Sequence, residues 1–216
     1  VPLERALDKI GSAGLPPFYT EVRLVDDDGV DVPTGERGEV IVRGPNVMKG
    51  YWNRPDATAE VLVNGWFHTG DIGVRDDEGY YYIVDRKKDM IISGGENIYP
   101  AEIEECLYAH PDVAEVAVIG VPDAKWGEVV RAIVVVKQGT SPDEASIIDF
   151  TQGRLARYKQ PRSVVFAEVL PRNPAGKVLK FELRDRFGQP AAAQPQQAPA
   201  AADAASAADP ATARTQ

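Results

Sequence analysis

The sequence predicts an α+β chain: a β-rich, barrel-like region, then a compact α+β lobe, then a disordered tail. Three observations carry this expectation. Residues 21–43 alternate apolar and polar side chains around two turn signals, as half-buried strands do. Residues 113–121 and 128–136 are near-continuous apolar runs set between helical patterns, which suits strands buried on both faces. After Phe187 the composition turns to Ala, Pro and Gln with almost no large apolar residue, too little to offset the entropy of ordering.

Taken in order, EVRLV and EVIVR read as strands joined through an Asp26-Asp27-Asp28-Gly29 turn and a Pro33-Thr34-Gly35 turn. Pro55 suits a first helical turn, so a short helix runs to Val61 and Asn64-Gly65 turns the chain. Residues 66–71 and 80–85 follow as strands, the second entered through Glu78-Gly79, with Tyr80, Tyr81 and Tyr82 read as sheet residues and given no chemistry. Pro100 opens a helix with Ile103 and Leu107 inward and Glu102, Glu104 and Glu105 near its positive end; His110-Pro111 stops it. A second helix is expected from about Pro142 to Arg157, a short strand at 164–166 and a last helix at 181–187.

With 216 residues the chain can hold one or two domains with a real core. A net charge of −9 and a pI near 4.8 argue against nucleic acid or an anionic membrane as the main partner. The one cysteine, Cys106, excludes an intrachain disulfide and reads as a small buried hydrophobe rather than a reactive thiol; a reducing, cytoplasmic setting fits. No apolar run is long enough to span a bilayer, and no signal peptide is evident. A chain opening on Val1 rather than Met is expected of a piece of a longer polypeptide.

Three stretches carry more than fold. Residues 85–100, DRKKDMIISGGENIYP, pass from a charged run through Met90-Ile91-Ile92 to a Gly94-Gly95 pair. Composition alone makes this an exposed connection with a sharp turn. Residues 66–71 are WFHTGD, and residues 171–180 are PRNPAGKVLK. In this order, and over most of residues 14–183, the three resemble the hinge-and-gate segment, the TGD motif and the C-terminal lysine motif of the adenylate-forming (AMP-binding) enzymes. The branch resembled is the acyl-CoA synthetases, fatty-acid–CoA ligase type.

The resemblance implies an organisation and a set of sites. Residues 1–87 would be the C-terminal β subdomain of a large AMP-binding domain, 88–187 a small mobile domain hinged at Lys88, and 188–216 the disordered tail. Asp71, which by itself reads as an Asx turn, would accept hydrogen bonds from the ribose hydroxyls, with Arg86 as a second nucleotide contact. Lys88, otherwise a solvated lysine, would be the pivot, where a residue must change φ and ψ while hydrated. Ile91, Ile92, Ser93, Gly94 and Gly95, otherwise a hairpin turn, would line the pantetheine tunnel of CoA.

Lys177, otherwise a surface charge, would be the catalytic cation of adenylation, stabilising charge on the α-phosphoryl oxygens. Residues 154–186 hold nine Lys/Arg against three Asp/Glu, on composition a solvated face. With Trp126, Tyr158, Lys159 and Arg162 at the family's CoA positions, the expectation is a surface for the adenine and phosphates of CoA. His68, with one other histidine and no cysteine cluster, gives no expectation of a metal site on this segment.

The implied reaction joins a carboxylic acid and ATP to an acyl-adenylate, then transfers the acyl group to CoA. ATP with Mg²⁺, CoA and an acid are the expected partners, medium- or long-chain fatty acids ahead of aryl acids. The family's phosphate loop and acyl pocket lie earlier than this segment, which alone is expected to be inactive. Rival readings are an adenylation module that loads a carrier protein and a non-catalytic binding lobe. The resemblance also raises acylation of Lys177 as a control, and a homodimer is left open.

Overall fold

The computed structural model describes residues 1–189, so the tail expected to be disordered lies, from residue 190 on, outside the described residues. Two five-stranded sheets make two bodies. The first comprises β1 (Glu21–Val25), β2 (Arg37–Arg43), α1 (Pro55–Val61), β3 (Leu62–Val63), β4 (Trp66–Arg75) and β5 (Tyr81–Arg86). All of its strand pairs are antiparallel; β4 lies in the middle, with β2 along one edge and β3 and β5 sharing the other.

Asp-initiated turns shape this sheet. Asp26 Oδ1 accepts from the N–H of Asp28 and Val30, and Asp76 Oδ1 accepts from Glu78 and Tyr80. Each carboxylate thereby replaces a missing ladder partner at a hairpin. Tyr81 is buried with Leu24 and Val40, its hydroxyl donating to the Val22 carbonyl at 2.8 Å. The segment before β1 is stapled to the β4–β5 turn by Lys9, whose ammonium lies 2.7 Å from Asp76, 2.6 Å from Glu78 and over the Tyr80 ring.

The second body comprises β6 (Ile91–Ser93), β7 (Glu96–Ile98), α2 (Pro100–Tyr108), β8 (Val113–Asp123), β9 (Gly127–Val136), α3 (Glu144–Phe150), β10 (Ser163–Phe166) and α4 (Lys180–Phe187). Here β9 is central, antiparallel to β8 and, at its first residue, to β6, and parallel to β10. The continuous apolar runs follow from burial on both faces: Val116 and Val118 face Ile103, Leu107 and Ile147, whereas Ala117, Ile119 and Val121 face Leu170 and Leu183. Both sets of side chains are excluded from water, so alternation has no reason to appear in the sequence.

One helix differs from expectation. The run from Pro142 to Arg157 holds only α3, capped at its start by Asp143 Oδ1 on the Ser146 N–H. Thr151 ends it by bonding its hydroxyl to the Ile148 carbonyl, and Gly153 takes φ +72°. A glycine in the left-handed region closes a helix more readily than it continues one. Among the described residues no helix is long and apolar enough to cross a membrane.

Candidate functional site

Asp71 was expected at the end of a strand, but it lies within β4, beside a bulge. The register of β2 on β4 slips between Glu39 and Ile41, and Gly70 adopts φ +71° there. An irregularity of this kind re-aims the side chains next to it. Asp71 and Arg86 are register partners across β4 and β5, with Arg86 Nε 3.0 Å from Asp71 Oδ1 and Arg86 Nη1 donating to the Thr69 carbonyl at 3.2 Å. Asp71 is therefore in an ion pair rather than an Asx turn, and both side chains stay partly open to solvent.

Behind this pair lies Glu39, a residue the strand pattern gave no reason to single out. Its buried carboxylate meets Lys87 Nζ at 3.1 Å and His68 Nδ1 at 3.3 Å and accepts from the Gly70 N–H at 3.3 Å. Burial pushes its pKa up, but the hydrogen bonds from Lys87 and His68 outweigh burial and hold it below the ordinary carboxylate value. A cleft of about 510 Å³ opens beside the group, lined among others by Arg23, Asp27, Glu39, Trp66, His68 and Lys87. The sequence signal was an acid directly before the apolar run Val40-Ile41-Val42.

The charged run 85–89 is half-buried and mostly anchored rather than simply exposed. Lys87 pairs with Glu39 and, at 2.8 Å, with Asp27, both in the first body. Asp89 pairs at 2.7 Å with Arg184 of α4, in the second. Between them Lys88 is exposed, and among the described residues no hydrogen bond or ion pair holds its side chain.

Residues 91–98 form a hairpin, β6 and β7, turning through Gly94 and Gly95 at φ +60° and +87°. With no side chain at either turn residue, Gly94 and Gly95 are expected to let a thin chain pass; a Cβ on Gly95 would meet nothing within 4 Å, but the space beside Gly94 is filled. That space is taken by Trp126: a Cβ on Gly94 would stand 2.8 Å from its Cε3. The Gly94 N–H also donates to the Trp126 carbonyl at 2.8 Å, and the Ile92 N–H to Glu128 at 3.0 Å. The tip of the hairpin is thus clamped to the β8–β9 turn, itself wound on Asp123 Oδ1.

Lys177 projects from a loop closed on itself. Asn173 Oδ1 accepts from the N–H of Ala175 and Lys177, the Asn173 N–H donates to the Lys177 carbonyl, and Arg172 Nη1 donates to the Gly176 carbonyl. The loop is fixed while the ammonium is left exposed, with no partner among the described residues.

The basic surface is less positive than the sequence count suggests. Of its nine cations, Lys159, Arg172, Lys180 and Arg184 are paired with Glu102, Glu115, Glu104 and Asp89, all from outside the segment. Lys159 holds both oxygens of Glu102, at 2.6 and 2.8 Å. Trp126 and Tyr158 are part-exposed rings carrying Lys125 and Lys159 over their faces, and Arg162 is exposed, its charge helping to lower the pKa of Asp123. The structure thus brings together Asp71 with Arg86, and Gly94 with Trp126. Lys177 stands apart on its own loop.

Two family descriptions match the chain: "AMP-binding enzyme" over residues 1–52 and "AMP-binding enzyme C-terminal domain" over residues 102–177. A feruloyl-CoA synthase of an Amycolatopsis species is 57% identical over 188 residues, 86% of this chain and 38% of its own length. The long-chain-fatty-acid–CoA ligase FadD13 of Mycobacterium tuberculosis is 56% identical over 85% of this chain and 36% of its own length. The 2-succinylbenzoate–CoA ligase of Geobacillus kaustophilus is 51% identical over 84% and 37%. The chain therefore spans little more than a third of these relatives. Among solved structures, ATP-bound MatB from Rhodopseudomonas palustris superposes with a TM-score of 0.78 at 43% identity, over 82% of this chain and 36% of its own. The Bacillus subtilis o-succinylbenzoate CoA synthetase with its acyl-adenylate gives 0.76 at 46% identity, over 84% and 37%. A Mycobacterium tuberculosis fatty acyl CoA synthetase gives 0.58 at 54% identity, over 87% and 37%.

Proposed function

Because the chain belongs to the AMP-binding enzyme family, within its acid–CoA ligases, we propose that it supplies the hinge and mobile lobe of an AMP-forming acyl-CoA synthetase. The whole protein joins a carboxylic acid to ATP, releasing pyrophosphate and forming an acyl-adenylate. CoA thiol then attacks the acyl carbon; the thioester forms and AMP leaves. The observation that carries this reading is Lys177, exposed and unpartnered at the tip of an internally bonded loop. A cation kept free of carboxylates can meet phosphoryl oxygens as negative charge builds on them, and it needs no reorganisation to do so.

Each remaining residue takes one task. Asp71 presents a carboxylate to the ribose hydroxyls, with Arg86 holding it in place and reaching toward the nucleotide. Lys88 is the pivot: Lys87 stays with the first body and Asp89 travels with the second. Turning there withdraws Lys177 and brings the Ile91–Gly95 edge to the reacting centre, with Trp126 keeping that edge in shape. Trp126, Tyr158 and Arg162 offer rings and charge to the CoA nucleotide; Lys159 joins them only if Glu102 gives it up. No cluster of His, Cys, Asp or Glu suited to a metal exists among the described residues, so Mg²⁺ is assigned no ligand on this chain.

The acid is the finer question. Relatives of nearly equal identity carry the names of a feruloyl and a long-chain fatty acyl enzyme, so a fatty acid and an aryl acid are both arms of the test. The complete ligase, given ATP and each acid in turn, is offered free CoA or a carrier protein as acceptor. Acid-dependent AMP with free CoA supports the reading. AMP formed only with the carrier protein favours an adenylation module, and none with either acceptor favours a binding lobe.

A further inference from the structure

Among the described residues, three contacts of Asp85 and Arg37 join the two bodies across the pivot. Asp85, near the end of β5, accepts from the Ala101 N–H at 2.8 Å through Oδ2 and from the Arg86 N–H at 2.7 Å through Oδ1. Ala101 lies in the first turn of α2, whose own N-cap residue, Tyr99, makes no side-chain cap bond. One free N–H of that helix is therefore served by a carboxylate from the other body. Arg37, first residue of β2, lies 4.4 Å from the centre of the buried Tyr99 ring and 3.5 Å from the Glu102 carboxylate.

These groups differ from ordinary interface contacts in what happens when they part. Glu102 keeps Lys159, Asp85 keeps the Arg86 N–H, and Arg37 is already partly in solvent. No charge is stranded, so the set can open at little cost, while closed it adds a charge-assisted bond, a cation–ring contact and an exposed ion pair. Arg37 and Asp85 precede Lys88, and Tyr99, Ala101 and Glu102 follow it, so rotation at Lys88 cannot spare them.

We propose that Asp85 and Arg37, closing on Ala101, Tyr99 and Glu102, form a latch that holds the lobe in one of its two working orientations. The proposal rests on the reading above that the lobe turns about Lys88. The orientation held is the one in which Asp85 meets the Ala101 N–H and Arg37 meets Tyr99 and Glu102.

The test measures geometry, not activity. In the full chain with Cys106→Ser, spin labels on cysteines replacing Val30 and Val169, exposed positions on the two bodies, report their separation by double electron–electron resonance. The parent should give one dominant distance. Asp85→Asn with Arg37→Ala should add a second distance, its share on the order of tenfold larger than in the parent. Asparagine offers one acceptor oxygen where two N–H groups need one each. Arg23→Ala, which removes an exposed ion pair to Asp31 away from the pivot, should leave the distribution unchanged. If the double variant does not fold, Glu102→Gln is read in its place. An unaltered distribution in the folded latch variant, or two equal populations already in the parent, overturns the latch. Failure of the ligase reading would appear instead in the Lys177 partial reactions and would leave these distances as they are.

Discussion

Lys87 and Asp89 stand two residues apart and are tied to opposite bodies, Lys87 to Glu39 and Asp27 at 3.1 and 2.8 Å, Asp89 to Arg184 at 2.7 Å. A rigid turn of one body against the other then has one residue left to absorb the change in backbone angles, Lys88. The pairings thus supply a geometric reason, independent of any motif, for the pivot proposed at Lys88.

The anchoring predicts a contrast between neighbours. Lys87→Met leaves the buried Glu39 carboxylate without its lysine and should cost about 1–3 kcal/mol of unfolding free energy. Lys88→Met removes no contact and should stay within about 0.5 kcal/mol of the parent. Urea unfolding of both variants checks this, and equal losses would refute the assignment of Lys87 as the fixed side of the hinge.

The hairpin predicts a second contrast. Gly94→Ala meets a left-handed φ and the Trp126 ring, whereas Gly95→Ala meets the left-handed φ with open space around it. The first should cost about 2–3 kcal/mol and the second about 1–2 kcal/mol. Melting temperatures should fall in that order; the reverse order would mean that Trp126 does not lie against the turn.

Acid should unfasten the segment before β1. Hydrogen bonds from Lys9 hold Asp76 and Glu78 below their ordinary values, and those same carboxylates raise Lys9. A carboxylate depressed in the folded state binds protons more readily when unfolded, so its stabilisation is complete above the ordinary carboxylate pKa and is lost as pH falls through the lowered one. Lys9→Met should therefore flatten the loss of stability from about pH 5 downward. Parallel acid titrations of parent and variant, followed by unfolding, decide it, and identical slopes would count against the staple.

Much of this was legible in the sequence because the signals were local. Alternation placed β1 and β2, Pro55 and Pro100 opened α1 and α2 where first turns accept proline, and Ile103 and Leu107 face the core. The family was legible from three short motifs in order. What stayed hidden was set by partners distant in the chain. Glu39 is 48 residues from Lys87 and Asp89 is 95 from Arg184, so neither pairing leaves a periodic trace. The count of positive charges between 154 and 186 misled because the neutralising carboxylates come from α2, β8 and the hinge. The expected helix from Pro142 overran because the Thr151 hydroxyl and the Gly153 backbone end it, and apolar spacing records neither.

Lys177→Ala in the complete ligase tests the central claim most directly, with the two half-reactions measured apart. Pyrophosphate release from acid and ATP should fall about 10²–10³-fold, because one preorganised charge is removed from the phosphoryl transition state. Thioester formation from supplied acyl-adenylate and CoA should stay within about threefold of the parent, a difference under about 1 kcal/mol, because the proposed turn at Lys88 withdraws Lys177 at that stage. Equal losses in both half-reactions, or an unimpaired first one, would contradict the account.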